Sequence, residues 1–336
     1  MVDVARLAGV SHQTVSRVIN GSDKVRPETV ERVRQAIKEL GYRPNTAARA
    51  LVTRKSGVIG IVNPTSADYG PAQMQLAIEI AARDNGYSAF ISPVAAHNAD
   101  DLRVALEHAL AVDVEGLVVI IPREDMARGI RKDMFSVPVI AVTSPAAAER
   151  LGAVQAGHDQ KAGMRALVEC LIKLGHRNIA HVAGPLDAHE AVERLETWQE
   201  VLTEHDLPVP KPIHADWSAE SGQLAARVLL ERGVPDAVVA PNDDVALGII
   251  HEFLAEGIRI PEDVSVSGFD DIPLSEFFTP ALTTVRQDFQ LLGSKIMREL
   301  SAQIRGEGMS NVQDITITPK LIERGSVGPA PKRKKR

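Results

Sequence analysis

Residues 2–20 read VDVARLAGVSHQTVSRVIN, and the punctuation of this stretch decides the first part of the fold. Val2 to Ala8 makes a short helix stopped by Gly9, because glycine adopts the left-handed turn that ends helices without steric penalty. Ser11 opens a second helix, its hydroxyl accepting from a backbone N–H that the helix leaves unpaired. That helix, His12 to Ile19, stops at Asn20-Gly21. Ala5, Leu7, Val10, Val15 and Val18 are the apolar positions expected to pack the two together. Pro27 begins a third helix, in which Val30, Val33, Ile37 and Leu40 recur at helical spacing until Gly41. Three short helices before residue 42 make a small all-α head.

The second helix carries polar groups on its exposed N-terminal part: His12, Gln13 and Arg17. Glutamine pairs with adenine and arginine with guanine through bidentate bonds in the major groove. Ser11, Thr14, Ser16 and Asn20 are short hydrogen bonders suited to phosphate oxygens, which set register rather than sequence. Charge points the same way. Residues 1–56 hold eleven Lys/Arg against five Asp/Glu, whereas residues 57–331 stand at −17 within a chain whose total is −6. A basic head on an acidic body implies a polyanionic partner for the head alone. A linker follows, RPNTAARALVTRKSG (43–57). Pro44 ends the head, Asn45 can cap, and Thr46 to Val52 is too short to be helical in water unless something holds it. Leu51 on this basic linker either wedges between base pairs in the minor groove or packs on the body. Residue type alone favours packing.

From Gly57 the pattern changes to short apolar runs alternating with helical stretches. VIGIV (58–62), GLVVII (116–121), VPVIAV (137–142), IAHVAG (179–184), AVVAP (237–241) and VSVSGF (264–269) read as buried strands. Ala72–Asn85, Ala162–Leu174 and Asp244–Glu256 are among the helices between them. Such alternation means parallel sheets covered by helices, and there are too many units for one sheet, so two lobes are expected. Ligands of open α/β sheets sit at the carboxyl ends of the strands. Thr143, Asn242, Asp243, Asp270 and Asp271 follow strands directly, Arg194 lies beyond IAHVAG, and Gln287 and Asp288 lie where the chain crosses back. Amides, carboxylates and a guanidinium beside Trp217 or Phe289 suit a sugar, whose hydroxyls are paired in plane while a ring covers its C–H face. An aspartate at a strand end is as often a turn or cap residue, and either aromatic taken singly is more often core.

Composition excludes other classes. Hydrophobic residues are 44% and charged residues 24%, an ordinary globular balance. No apolar run reaches the ~20 residues of a membrane span, and MVDVARLAGV is not a secretory signal. Cys170, the only cysteine, cannot form an internal disulfide and belongs with Leu167, Leu171 and Leu174 on an apolar helix face. These features place the chain in the cytoplasm. There is no phosphate-binding loop, dinucleotide fingerprint or zinc spacing, and His176 and His181 read as structural. No cofactor, metal or catalysis is implied.

VARLAGVSHQTVSRVIN and GYRPNTAARAL resemble the headpiece and hinge of the lac repressor family of bacterial transcription regulators. The resemblance implies that His12, Gln13 and Arg17 read bases, that Leu51 wedges at the operator centre, and that Thr29, Tyr42, Asn45, Ala48 and Arg49 lie near DNA. AGPLDAHEAVERLETW, DWSAESG, APNDDVALG, SGFDD and LTTVRQDFQLLG resemble the effector-binding core of the family, so the similarity spans residues 2 to about 324. It implies that Arg194, Trp217, Asn242, Asp270, Gln287 and Phe289 contact an inducer, with Pro71, Met74 and Ala188 lining the cleft. Four positions depart from the resembled core. Thr143 replaces an acidic cleft residue, His158 a phenylalanine, Ile120 an asparagine and Pro64 a serine. Losing a carboxylate acceptor should weaken or redirect galactoside recognition; Thr143 and His158 stay in the expected ligand set. Members usually carry several residues before the first helix, whereas Met1 almost begins it, so either the start lies upstream or that helix frays. After ITITPKLIER the chain runs through GSVGPAP into KRKKR without a leucine heptad, which favours a dimer over a tetramer.

The expected organisation is a helix-turn-helix head (1–44), a hinge (45–56) and an α/β two-lobed core of periplasmic-binding-protein type (57–324), followed by a disordered basic tail (325–336). The first lobe takes about 57–157 with 286–316, and the second about 158–285 with 317–324. The expected partners are double-stranded operator DNA, a small sugar effector and a second copy of the chain, with no membrane and no metal. Two alternatives stay open: a solute-binding sugar receptor of the periplasmic type, and a regulator answering a phosphorylated sugar or a co-repressor.

Overall fold

Gly9, with φ 62°, ends the first head helix, α1 (Val2–Ala8). Ser11 Oγ accepts from Thr14 N–H at 3.2 Å and so caps α2 (His12–Ile19). Pro27 starts α3 (Pro27–Glu39). Val4, Ala5, Ala8, Val15, Val33 and Ala36 form the head core, with Val10, Val18, Ile37 and Tyr42 packed against it. One expected core position is corrected: Leu7 is 48% exposed, and Leu40, at the end of the third helix, is likewise exposed. Val4, Ala5 and Ala8 make the inward stripe of α1, and Leu7 projects away from it. The computed structural model describes residues 1–19, 22, 24–42, 55–65, 68–94, 98–307 and 314–332, in two units, Met1–Gly57 and Val58–Arg336.

The second unit contains two parallel sheets. The first is built from β1 (Val58–Pro64), β2 (Ser88–Val94), β3 (Gly116–Ile120), β4 (Val139–Val142), β5 (Val154–His158) and β11 (Ile315–Ile317), in the order β11-β5-β4-β3-β1-β2. All its pairings are parallel, and Ile315 lies opposite Ala156 at the edge. Side chains along β3 alternate between its faces, as a strand requires. Leu117, Val119 and Ile121 pack with α5 (Ala99–Ala111) and α6 (Pro145–Leu151), while Val118 and Ile120 face α4 (Tyr69–Asp84) and α11 (Phe289–Ile304). The second sheet has the order β7-β6-β8-β9, with β6 (Ile179–Ala183), β7 (Ile213–His214), β8 (Ala237–Val239) and β9 (Ser265–Ser267). Helices α7 (Gln160–Lys173) and α8 (His189–Glu204) cover one face, and α9 (Ala219–Arg232) and α10 (Asp243–Ala255) the other. Apolar burial on both faces of both sheets makes each lobe a core of its own.

The chain passes between the lobes three times: from β5 to α7, from β10 (Thr284–Arg286) to α11, and from β11 to β12 (Lys320–Ile322). β10 and β12 pair antiparallel, and Val285 and Leu321 reach into the second-lobe core. The expected disordered tail is corrected over its described part. Ser326 is fully buried; its hydroxyl donates to Val266 O (2.6 Å) and accepts from Thr283 N–H (2.8 Å). Gly328 N–H reaches Ser265 Oγ and Ala330 N–H reaches Leu174 O, at 3.2 and 3.0 Å. The small residues of GSVGPA let this strap lie flat on the second lobe; residues 333–336 lie outside the described residues. Among the described residues, no helix is long and apolar enough to cross a membrane, and no group of three or more His, Cys, Asp or Glu is placed to hold a metal.

Candidate functional site

In the head, His12, Gln13 and Arg17 are exposed on α2. Gln13 and Arg17 stand one turn apart on a face turned away from the buried Val15. Ser11 is exposed while its oxygen serves the cap and meets the Thr14 hydroxyl at 2.9 Å. Thr14, Ser16 and Thr29 are half-buried, and Tyr42 leans on the head core. Asn20, Asn45, Ala48, Arg49 and Leu51 lie outside the described residues.

In the body, a cavity of ≈280 Å³ opens between the lobes at the carboxyl ends of both sheets. Pro64, Pro71, Met74, Ile120, His158 and Phe289 line it from the first lobe, and Ala188, Arg194, Trp217, Asn242 and Asp270 from the second, with Gln287 on the crossover between them. Thr143 is the correction. It is 2% exposed outside the cavity, its hydroxyl donated to Ile121 O at 2.9 Å, and Val142 faces the cleft instead.

Arg194 is the hub of the second-lobe wall. Its guanidinium lies 3.8 Å from the centre of the Phe269 ring and 6.0 Å from that of Trp217. Nε donates to Gln160 Oε1 (3.0 Å) and Nη1 to Pro241 O (2.5 Å). Gln160 donates to Gln287 Oε1 (3.0 Å), and Gln287 donates to Asp270 Oδ1 (2.7 Å), which Arg194 Nη2 approaches at 3.9 Å. The network closes on itself, which fixes each rotamer. Burial pushes the Asp270 carboxyl up to about 7 against the pull of Arg194 and Gln287. Asp270 has φ 107° and Asp271 φ 55°, conformations that side-chain-bearing residues rarely adopt and that concentrate at functional sites. Asn242 caps α10, accepting from Val245 N–H (2.8 Å) and donating to Trp217 O (3.0 Å), which leaves one amide hydrogen for the cleft. The Trp217 ring lies against Gly184, where a Cβ would come within 2.7 Å of it. Phe289 stands edge-on to Tyr69 (6.0 Å) and His158 (5.1 Å). Burial holds the His158 imidazole below its ordinary pKa, and its Nε2 is buried without a partner.

The other strand-end aspartates serve the scaffold. Asp243 is buried and accepts from Thr284 Oγ1 and Ile272 N–H, its pKa raised well above the ordinary value by burial and by Asp270. Asp271 is held by Arg286 (2.5 Å) and Arg324 (2.7 Å), and Asp288 caps α11. Tyr69, Arg123, Asp187, His189 and Glu190 also line the cavity and had escaped the sequence reading. Arg123, just after β3, pairs with Asp187, just after β6, at 2.7 Å across the cleft, and His189 Nδ1 meets Pro122 O at 2.9 Å beside it. Their position after strands was the available signal.

Residues 1–45 match the model of bacterial regulatory proteins of the lacI family, and residues 168–327 match a periplasmic binding protein-like domain. The lactose operon repressor of Escherichia coli (strain K12) is 34% identical over 326 residues, 96% of this chain and 89% of that protein. The chain belongs to the lacI family. The transcriptional regulator CelR of Thermobifida fusca is likewise 34% identical, over 95% of this chain and 96% of its own. The lac repressor dimer bound to operator and the anti-inducer ONPF superposes with a TM-score of 0.88 at 33% identity, covering 97% of this chain and 98% of that one. As a lacI-family protein the chain is a sequence-specific DNA-binding transcription regulator, not an enzyme. The first matched region is the helix-turn-helix head, and the second covers the second lobe together with the segments that return to the first.

Proposed function

We propose that this regulator is a cytoplasmic repressor that binds a palindromic operator as a homodimer and lets go when a small, galactoside-like sugar fills the cleft. His12, Gln13 and Arg17 read base edges. Ser11, Thr14, Ser16, Asn20, Thr29, Tyr42, Asn45 and Arg49 hold the backbone, and Leu51 with Ala48 enters the minor groove. Two recognition helices then stand about 34–36 Å apart, one turn of DNA. Pro71, Met74, His158, Ala188, Arg194, Trp217, Asn242, Asp270, Gln287 and Phe289 hold the sugar.

The observation that carries the effector reading is the closed Arg194–Gln160–Gln287–Asp270 network between Trp217 and Phe289. It offers donors and acceptors to ring hydroxyls, and the aromatics offer cover to the C–H face. A cavity of ≈280 Å³ is close to the lower end of small-molecule sites, about 300–1,000 Å³. Lac repressor structures carry ONPF and ONPG, and a CelR structure carries cellobiose. A phosphorylated effector is disfavoured because Arg123 is matched by Asp125 and Asp187, and Arg194 is committed to Gln160, Pro241 O and the Phe269 ring. Release requires that the sugar prefer the DNA-free conformation, since equal affinity for both states shifts nothing.

The test is a titration on a lac-type palindromic operator, repeated with galactosides and other sugars. Operator affinity lost with one sugar supports the reading and names the effector. Operator binding indifferent to every sugar overturns the effector, and no binding to such a palindrome overturns the operator.

A further inference from the structure

The acidic residues of the cleft are not equally engaged. Asp270 accepts from Gln287 and faces Arg194, and Asp187 pairs with Arg123. Glu190, in the first turn of α8, lines the same cavity with neither a hydrogen bond nor an ion pair among the described residues. Opposite it in the first lobe stands His158, whose Nε2 is buried and unpartnered. The ring's other nitrogen turns to the Asp288 backbone, and burial keeps the imidazole neutral. A neutral histidine that donates through Nδ1 leaves Nε2 as an acceptor. A carboxylate is an acceptor as well. The two groups feel each other, since Glu190 favours the charged form of His158. Glu190 and His158 therefore present two unpaired acceptors to the cleft, one from each lobe, in a pocket where an unpaired polar atom is costly.

We propose that Glu190 and His158 together read a hydrogen-bond-donating group of the effector, a hydroxyl or an ammonium, and reject anionic sugars. The proposal rests on the sugar-effector reading above. Thr143, at the position where the resembled core has its acidic cleft residue, keeps its hydroxyl on Ile121 O and cannot serve the cleft. Glu190 supplies the carboxylate from the opposite lobe. A donor bridging Glu190 and His158 also ties the two lobes together, so recognition and closure become one event. Losing a donor opposite acceptors leaves them unpaired, and placing a phosphate there sets like charges against each other.

The test measures calorimetric binding and operator release for the full-length wild type, Glu190→Gln and His158→Phe. The probes are neutral glycosides together with amino-sugar and phosphorylated counterparts. Expected is a tenfold or greater loss in both variants for the sugar that binds the wild type, with phosphorylated counterparts binding the wild type not at all and Glu190→Gln measurably. A larger loss for the amino sugar identifies an ammonium as the group read; a larger loss for the neutral sugar identifies a hydroxyl. Equal affinity of wild type and Glu190→Gln overturns the pair while leaving the effector reading intact; a phosphorylated sugar bound by the wild type overturns the pair and the exclusion of phosphorylated effectors with it. A wild type that binds operator but no sugar overturns the effector reading and the pair with it. His158→Phe keeps the shape of the wall, so the test stands even if one variant folds poorly.

Discussion

Asp270→Asn tests the cleft most directly, because burial makes this carboxyl a term in the stability of the whole body. Its pKa is pushed from 3.8 up to about 7 in the folded protein, burial outweighing Arg194 and Gln287. The unfolded chain sheds this proton near pH 4, while the folded chain keeps it until about pH 7. Between those values the folded state binds the extra proton, so stability falls as pH rises. At 1.36 kcal/mol per unit the loss approaches roughly 4 kcal/mol, a large share of a typical 5–15 kcal/mol. Asparagine has nearly the same shape, tolerates the left-handed backbone and does not titrate. The variant should therefore gain on the wild type by up to about 4 kcal/mol between pH 4 and pH 8. Urea unfolding followed by circular dichroism at a series of pH values reads this out, provided the slope m is unchanged. Parallel pH curves for the two proteins would refute the reasoning. Operator affinity should hold while the response to sugar is lost, and a variant that remains fully inducible removes Asp270 from the site.

Three further substitutions probe other parts. Arg17→Ala should relax base preference at one operator position by about 1–3 kcal/mol, and unchanged selectivity across operator variants rejects its reading role. Arg123→Ala breaks the ion pair across the cleft mouth; with side chains 30% and 48% exposed it is worth under about 1 kcal/mol, so the open population should rise at most about fivefold. Distance measurements between labelled lobes at low and high salt check this, and a salt-insensitive difference argues against an ionic latch. Thr143→Val should cost about 1 kcal/mol of stability and leave the sugar response unchanged, because the hydroxyl serves Ile121 O rather than the cleft. An impaired response would return Thr143 to the site.

Much of this molecule was legible as a sequence, and the exceptions have physical causes. The head helices were readable because Gly9, Ser11 and Pro27 act locally, each on its own turn. Buried strands such as β3 show as unbroken apolar runs because both faces are covered. β2 and β5 are broken by exposed or half-buried positions, so no such run marks them. Leu7 misleads because the inward stripe of a helix as short as α1 is set by its packing partners. Thr143 follows its strand as expected, but a side chain's direction after a strand depends on which acceptor it meets, and here Ile121 O wins. Arg123 and Glu190 went unnoticed because a charged residue in a loop looks like solvated surface until the opposite lobe is in place.

The three crossings also govern how the protein can be made. The first sheet is completed only by β11, which pairs with β5 across more than 150 intervening residues, and the second lobe is sealed only by β12 and the strap at Ser326. As the chain leaves the ribosome, the flank of β5 stays open until nearly all of it has been synthesised. Both lobes are therefore finished together, by the last stretch translated. A message truncated shortly before residue 315 would deliver a complete recognition helix on a body with two unfinished halves, and unpaired strand edges of that kind invite aggregation. Quality control over this regulator thus falls at the end of translation, after its DNA-reading end has already emerged.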